Sequence, residues 1–215
     1  MDLIIRDFPD LLRAMGVTLL LGLVSFILGC VLGALVGLAR ISRFRLLKGL
    51  AIVYVSVFRG TPLLIQIMLV YYGLPQLGVL IEPIPSAILA LTVYAAAYLS
   101  ENFRAGIIAV DRGQWEAAHS MGMPYWRMLR RIVAPQAIRV AMPPIGSRFI
   151  ALMKDTSLAS AVTVVELTRV AETIGSSTFR YMEAFLVAAA AYWLINTALS
   201  LGQGALERRL GRAYA

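Results

Sequence analysis

The chain has 215 residues, of which 60% are hydrophobic and only 15% are charged. A mean hydropathy of +0.77 excludes a soluble domain, because a domain of this length could not bury so much apolar surface. The net charge of +8 would suit a nucleic-acid-binding protein, but attraction of basic loops to anionic membrane lipid explains it better. These features predict an all-α integral membrane protein that contacts lipid and no nucleic acid.

Apolar runs of about 20 residues, the length needed to cross a hydrocarbon core, recur along the chain. They predict about five transmembrane helices, at roughly 15–39, 51–73, 85–108, 144–165 and 184–206. The chain is thereby divided into an external segment at 1–14, a transmembrane domain at 15–206 and a cytoplasmic tail at 207–215. The first span is not followed by a small-residue cleavage site and then soluble sequence. We therefore expect a retained membrane helix and not a signal peptide that is removed.

Basic residues are concentrated in alternate connecting segments. Cytoplasmic loops of membrane proteins carry an excess of Lys and Arg. The bias therefore predicts an external N-terminus and a cytoplasmic C-terminus. The residues that carry it are Arg40, Arg43, Arg45, Lys48, Arg112, Arg127, Arg130, Arg131, Arg139, Arg208, Arg209 and Arg212, with Arg104 and Arg148 flanking the segment after the third span.

The first span contains a strip of small residues. Gly29, Gly33 and Gly37 recur every four residues and so share one helix face. Small side chains let helices approach closely in lipid. The strip predicts a packing surface for another helix.

The apolar second span is interrupted by Arg59, Gly60 and Pro62. Pro62 removes a helical hydrogen bond and Gly60 loosens the adjoining turn, so a break is predicted here. Backbone groups exposed at such a depth must line a cavity or be buried in protein. Arg59 is expected about eight residues, or ~12 Å, from the inner end of the span. It either belongs to a functional site or extends to the interface as a structural charge.

The third span has a polar face made by Tyr94, Tyr98 and Glu101. These residues follow helical spacing, and such a face should point to the protein interior rather than to lipid. Glu101 either contacts a substrate or pairs with Arg104 three residues later.

The fourth span carries Lys154 and Asp155 at an expected depth similar to that of Arg59. Charges there cost at least ~2.5–3.5 kcal/mol each on insertion scales, so they serve either a substrate or a structural ion pair. Two intramembrane cations and two acids suit a zwitterionic amino acid better than a sugar or a metal ion, but they equally suit closed internal ion pairs. The predicted substrate-binding residues are Arg59, Thr61, Gln66, Tyr98, Glu101, Lys154, Asp155 and Thr156.

The segment between the third and fourth spans is basic, aromatic and interrupted. A helical run begins at Glu116, is broken at Gly122 and Pro124, and resumes at Tyr125. This pattern predicts a helix, a sharp turn and a second helix that ends near Pro135. From these residues alone, the alternative is an amphipathic loop lying on the inner leaflet.

The spacing of Glu-Ala-Ala at 116–118, Gly122 and Ala134-Pro135 resembles the EAA loop of ABC-importer permeases. Ala134 stands where that family usually has Leu. The resemblance implies a cytoplasmic coupling loop at 111–135, seated in a groove of a separate ATP-hydrolysing subunit. The coupling residues it implies are Glu116, Ala117, Ala118, Met121, Gly122, Met123, Arg127 and Arg131.

Further stretches extend the resemblance over nearly the whole chain. FRGTPLLIQ, AAYLSENFRAGI, DRGQWEAAHSMGM and LMKDTSLAS are similar to the polar amino-acid branch of these permeases, and most similar to its cystine-type members. The resemblance implies the type I ABC-importer architecture in a bacterial inner membrane. It also implies ATPase subunits, a second permease copy or homologue, and an extracytoplasmic substrate-binding protein.

The chain itself is not predicted to be an enzyme. It lacks the Gly-rich phosphate loop, so ATP and Mg are expected in the partner ATPase, and no cofactor is expected in this chain. The chain has one cysteine, Cys30, and one histidine, His119. Single residues of these types give no metal-ligand spacing, so the sequence does not support a metal site or an integral-membrane enzyme. The rival function is an ion-coupled secondary amino-acid transporter that uses Glu101 and Asp155.

Overall fold

The computed structural model describes the backbone of residues 2–212 and the side chains of residues 7–209. Within these residues the fold is helical and contains no β-strand, which confirms the all-α prediction. The helices are α1 (Asp2–Ile41), α2 (Arg45–Gly60), α3 (Leu63–Met68), α4 (Pro83–Ile108), α5 (Arg112–Ser120), α6 (Tyr125–Met128), α7 (Ala134–Asp155), α8 (Leu167–Thr178) and α9 (Tyr181–Arg212). Wider π-helical turns extend α3 and α6 over Leu69–Gly73 and Leu129–Val133, and tighter 3-10 segments cover Leu74–Leu77 and Thr156–Val162.

In the described part of the chain, three unbroken helices are long and apolar enough to cross a membrane. They run over Asp7–Ile41, Pro83–Ile108 and Tyr181–Arg209 and contain the first, third and fifth predicted spans. The predicted external segment is not separate from the first span, because α1 is continuous from Asp2. Helix α9 runs on into the predicted tail, of which residues 213–215 lie outside the described residues.

The second predicted span consists of two helices. Helix α2 starts at Arg45, earlier than predicted, and ends at Gly60. The segment Leu63–Leu77 then leaves at 106° to α2. The break predicted from Gly60 and Pro62 is therefore present, and it is a sharp bend rather than a mild kink.

Gln66 closes this bend. Its Nε2 donates to the carbonyl oxygens of Phe58 at 3.0 Å and Thr61 at 3.1 Å. Helix α2 ends here, because Thr61 is extended and Pro62 has no N–H to donate. The Gln66 amide satisfies carbonyls that would otherwise be unpaired within the protein.

The fourth predicted span, 144–165, does not correspond to a single helix. Helix α7 starts well before it, passes through Pro143 and Pro144, and ends at Asp155. The chain then tightens into the 3-10 segment Thr156–Val162. The prediction placed the helix start at the prolines, but the helix continues through them, although Pro143 and Pro144 have no N–H to donate to the carbonyls of Arg139 and Val140. Gln203 of α9 donates a side-chain hydrogen bond to the carbonyl of Pro143, where α9 packs against α7.

Helix α4 lies at the centre of the fold and packs against α1, α2, α3 and α7. Its inward-facing Ala90, Leu91, Ala95 and Leu99 are at most 2% exposed. The small alanine side chains let the neighbouring backbones approach closely, which favours helix packing in lipid.

The glycine strip of α1 packs closely against α4, as predicted. A Cβ on Gly33 would lie 2.9 Å from the Cβ of Leu99, and one on Gly37 would lie 3.0 Å from the carbonyl oxygen of Ser100. Gly29 contacts α4 one turn earlier in both helices. Because the contacts advance in the same direction, α1 and α4 run parallel.

The contacts of α7 and α9 show which helix ends lie together. A Cβ on Gly106, late in α4, would lie 2.6 Å from the carbonyl oxygen of Ala137, early in α7, so these two helices are antiparallel. Gln203, late in α9, donates to the carbonyl oxygen of Pro143 at 3.1 Å. The C-terminal ends of α1, α4 and α9 therefore share one end of the bundle with the start of α7 and with α5 and α6. This end holds the basic loops and is called the basic end below.

Candidate functional site

The polar face of α4 forms a stack of aromatic and cationic groups. The ring centroids of Tyr94 and Tyr98 are 5.0 Å apart. The guanidinium carbon of Arg148, on α7, lies 4.7 Å from the Tyr94 centroid and 4.6 Å from that of Tyr98. The guanidinium carbon of Arg59, at the end of α2, lies 5.0 Å from the same Tyr98 centroid. Tyr98 therefore contacts two cations, both of which its electron-rich ring attracts.

Arg59 lines a cavity of 480 Å³ at the bend in the second span. Arg40, Ser56, Tyr98 and Glu101 also line it. Arg59 is exposed and lies in the last turn of α2, where the helix dipole favours a cation. Within residues 7–209 no carboxylate pairs with Arg59, whose only close partner is the Tyr98 ring.

Glu101 is already neutralised by neighbouring cations. It forms an ion pair with Arg40, at the end of α1, and another with Arg104 at 2.9 Å. The pairing with Arg104 is the structural alternative that the sequence left open. A carboxylate held by two guanidinium groups is poorly available for the ammonium group of a substrate.

Asp155 is paired with Arg148, at 2.9 Å between Oδ2 and Nη2. The side chains are 28% and 11% exposed, respectively. Lys154 also attracts Asp155 electrostatically but is exposed, and it forms no ion pair within residues 7–209. The ion pair therefore joins two turns of α7 instead of the adjacent Lys154 and Asp155.

Five predicted substrate residues do not line the Arg59 cavity: Lys154 and Asp155, described above, and Thr61, Gln66 and Thr156. Thr61 and Gln66 line a separate, largely apolar cavity of 400 Å³ between α2, α3 and α4. Gln66 Nε2 donates to Thr61 Oγ1 at 2.8 Å, as part of the bend described above. Thr156 is fully buried and donates to the carbonyl oxygen of Met153 at 2.7 Å. These contacts stabilise the ends of helices.

The structure adds two arginines that the sequence did not place at the site. The sequence puts Arg148 at the membrane edge, but its seven-residue spacing from Asp155 returns to the same helix face and could have indicated the pair. Arg40 counts as a loop charge in the sequence, and no local pattern links it to Glu101. With Arg59, Arg104 and Lys154 they outnumber the two carboxylates, so the site has an excess of positive charge.

The predicted helix–turn–helix is present at the basic end. Helix α5 is capped by Asp111, which accepts a hydrogen bond from Gly113 N–H at 2.7 Å. Its C-terminus closes at Gly122, where φ is +69°, a conformation that glycine adopts without steric cost. Gly122 N–H donates to the carbonyl of His119 and Met123 N–H to that of Ala118, which is the Schellman pattern of helix ends.

The sequence predicted that the second helix of this loop ends near Pro135, but the structure shows that it continues. Helix α6 widens into the π-helical turn Leu129–Val133 and continues directly into α7. Pro135 lies in the first turn of α7, directly after this wider turn, and it has no N–H to donate to the preceding turn of the helix. The loop is therefore rigidly continuous with the helix that carries Arg148.

The loop presents most of its predicted coupling residues at the surface. Exposed positions are Glu116, Ala117, Met121, Gly122, Arg127 and Arg131, and Met123 is half-buried. Ala118 is buried in a small core with Met128 and Val133, so it holds the loop together. Tyr125 and Trp126, which were not predicted as coupling residues, are 62% and 70% exposed. A basic surface with exposed aromatic side chains is typical of a protein-binding patch.

Comparisons with known proteins agree over nearly the full length. Residues 8–212 match the family described as "Binding-protein-dependent transport system inner membrane component". The chain is 43% identical to the L-cystine transport system permease protein TcyB of Bacillus subtilis, over 100% of this chain and 92% of the relative. It is 39% identical to the arginine transport system permease protein ArtQ of the same organism, over 96% and 94% of the two chains.

A solved structure described as an amino acid ABC transporter with histidines superposes with a TM-score of 0.91 at 36% identity, covering 96% of each chain. The fold, the length matched and the identities all point to the same group of proteins. The chain belongs to the family of inner membrane components of binding-protein-dependent transport systems.

Proposed function

We propose that this permease subunit of an ATP-driven amino-acid importer holds the carboxylate of its substrate at Arg59. The observation that carries the proposal is an exposed guanidinium, without a carboxylate partner among residues 7–209, that lines a cavity at a helix break. Arginine binds carboxylates in a forked, charge-assisted geometry. The Ser56 hydroxyl lines the same cavity and can donate a further hydrogen bond.

The charge around the cavity favours amino acids with two carboxylates. Glu101 and Asp155 are engaged by arginines, which leaves Arg59 and Lys154 to attract anionic groups. A cationic amino acid would be repelled by this excess charge. L-cystine, for which one relative is named, carries two carboxylates and two ammonium groups and has no net charge, whereas arginine, for which another is named, has a net positive charge.

Family membership argues against the ion-coupled secondary transporter, because relatives are components of ABC transport systems. In this account a separate subunit hydrolyses ATP and binds Mg, and it docks on the surface formed by α5 and α6. Movement of that surface reaches Arg148 through the continuous helix α7. The remaining partners are a second permease copy or homologue, an extracytoplasmic substrate-binding protein, and lipid. The basic end is cytoplasmic, and the N-terminus is external.

The test is uptake into proteoliposomes that contain the permease, its ATPase subunit and the liganded binding protein. Labelled L-cystine is expected to accumulate only with ATP inside, and unlabelled L-glutamate is expected to compete better than L-arginine. Uptake driven by a proton or sodium gradient without ATP would overturn the importer. Stronger competition by L-arginine would overturn the two-carboxylate preference alone.

A further inference from the structure

A buried acid lies near the opposite end of the bundle from the basic loops. Glu166 is fully buried and caps the N-terminus of α8. Its carboxylate oxygens accept hydrogen bonds from the backbone N–H groups of Thr168 at 2.9 Å and Arg169 at 2.8 Å. The positive end of the helix dipole favours an acid at this position.

Glu166 also connects helices that are distant in sequence. The Tyr192 hydroxyl, on α9, donates to Glu166 Oε2 at 2.6 Å. The adjacent Leu167 N–H donates to Thr18 Oγ1, on α1, at 3.4 Å. Backbone hydrogen bonds connect Glu166 to the segment that follows Asp155 of the candidate site. Glu166 N–H donates to the carbonyl of Val164, and Val164 N–H donates to that of Ala159, in the 3-10 segment Thr156–Val162. The buried carboxylate thus ties α8 to α9, while the backbone of Glu166 is tied to the segment that continues from the end of α7.

Packing alone does not require a charge here. The side chain of Arg169 pairs with Glu172, and within residues 7–209 no cationic side chain forms an ion pair with Glu166. Burying a carboxylate without a cation is costly, and an apolar residue with another capping group would fill the space more cheaply. A helix cap could equally be made by an exposed Ser or Asp. The buried carboxylate is therefore explained better by a need to fix relative positions.

Helix α8 is suited to pass a movement to this point. Its apolar face packs on α1 and α9. Its far end closes tightly, because a Cβ on Gly175 would lie 2.5 Å from the Tyr181 ring. Just beyond that end, Phe179 is 87% exposed. A partner that contacts this end would move α8 as one body.

We propose that Glu166 and Tyr192 are positioning residues that hold the Asp155–Arg148 pair in register with α8. Contact of the binding protein with the far end of α8 then changes the site from outside. This inference rests on the proposed function, because it requires a binding protein that stimulates the transporter. It assigns a role in coupling to two residues that lie outside the Arg59 cavity.

The test compares Tyr192→Phe with Tyr181→Phe in the purified, reconstituted assembly. Both remove a hydroxyl from α9, but among residues 7–209 the Tyr181 hydroxyl makes no hydrogen bond. The readout is the ratio of ATPase rates with and without the L-cystine-loaded binding protein. We expect Tyr192→Phe to lower this stimulation about tenfold, as loss of a hydrogen bond to a charged group implies, with the basal rate unchanged. Tyr181→Phe should keep the wild-type ratio.

Glu166→Gln and the double variant provide an independent check. If both residues act through one bond, the double variant should lose no more stimulation than the larger single effect. Lower thermal stability with an unchanged stimulation ratio in both single variants would reduce the pair to a structural role and overturn the inference. Failure of the wild-type assembly to be stimulated at all would instead contradict the proposed function.

Discussion

Arg59 and Arg148 contact the same tyrosine, yet their removal should have opposite consequences. Arg59 is exposed and its one close contact among the described side chains is the Tyr98 ring, which is worth ~0.5–1 kcal/mol for an exposed cation. Arg59→Gln should therefore change stability little. If Arg59 binds the substrate carboxylate, the variant loses a charge-assisted interaction of ~1.5–3 kcal/mol, or about 10–100-fold in affinity.

Arg148→Gln breaks the pair with Asp155, whose side chain is 28% exposed. Removing one partner of a buried pair costs ~3–5 kcal/mol, and we expect about 3 kcal/mol because Asp155 is partly solvated. At ~2–4 °C per kcal/mol for a chain of this size, the thermal midpoint of the assembly should fall by several degrees.

The assay measures L-cystine uptake per assembled complex at saturating liganded binding protein, together with the thermal midpoint. Arg59→Gln should lose transport and keep its midpoint, and Arg59→Lys should recover part of the transport because the charge remains. Equal losses of stability in Arg59→Gln and Arg148→Gln, with normal transport in the former, would refute the assignment of Arg59 to the substrate.

Three further substitutions test parts of the fold. Gly122→Ala places a side chain at a φ of +69°, which costs ~1–2 kcal/mol. It should reduce ATP-driven uptake without affecting the basal rate of the ATPase subunit. The control is Gly49→Ala, in a helix with open space around it, which should be neutral or stabilising in both assays. Gly106→Ala inserts a Cβ 2.6 Å from the backbone of α7 and should destabilise the protein by ~1–3 kcal/mol in thermal unfolding, while Gly16→Ala, which has nothing within 4 Å, should not. Gln66→Met keeps about the same side-chain volume but leaves the carbonyls of the bend unpaired. The free energy of unfolding should fall by ~1–3 kcal/mol, which lowers the thermal midpoint. A wild-type midpoint for Gln66→Met would mean that water or a partner satisfies these carbonyls.

Local patterns predicted the parts of the fold that depend on local physics. The glycine strip of α1, the break at Gly60 and Pro62, and the turn at Gly122 all follow from what glycine and proline permit in a backbone. The continuation of α7 through Pro143 was missed, because it depends on packing against α4 and α9, which are distant in sequence.

The arrangement of charges could be predicted only in part. The sequence indicates which acids and bases are intramembrane, but it cannot say that Arg40 reaches Glu101, since α1 and α4 meet only through tertiary packing. The sequence led us to expect two cations balanced by two acids. In the structure both carboxylates are paired with arginines, and positive charge remains in excess. Because of this excess, we propose a substrate that carries a second carboxylate group.

The central claim is that the loop of α5 and α6 receives force from a separate ATPase, and site-specific cross-linking tests it directly. Cys30 is the single cysteine, so Met121→Cys in a Cys30→Ser background can carry one thiol-linked photo-crosslinker on a side chain that is 79% exposed. Thr178→Cys, at the far end of α8, is the control at a position away from the basic end. In the transporting assembly, the probe at position 121 should cross-link to the ATPase subunit and the probe at position 178 to the binding protein or to nothing. Cross-linking of position 121 to lipid alone, or to the binding protein, would contradict the account.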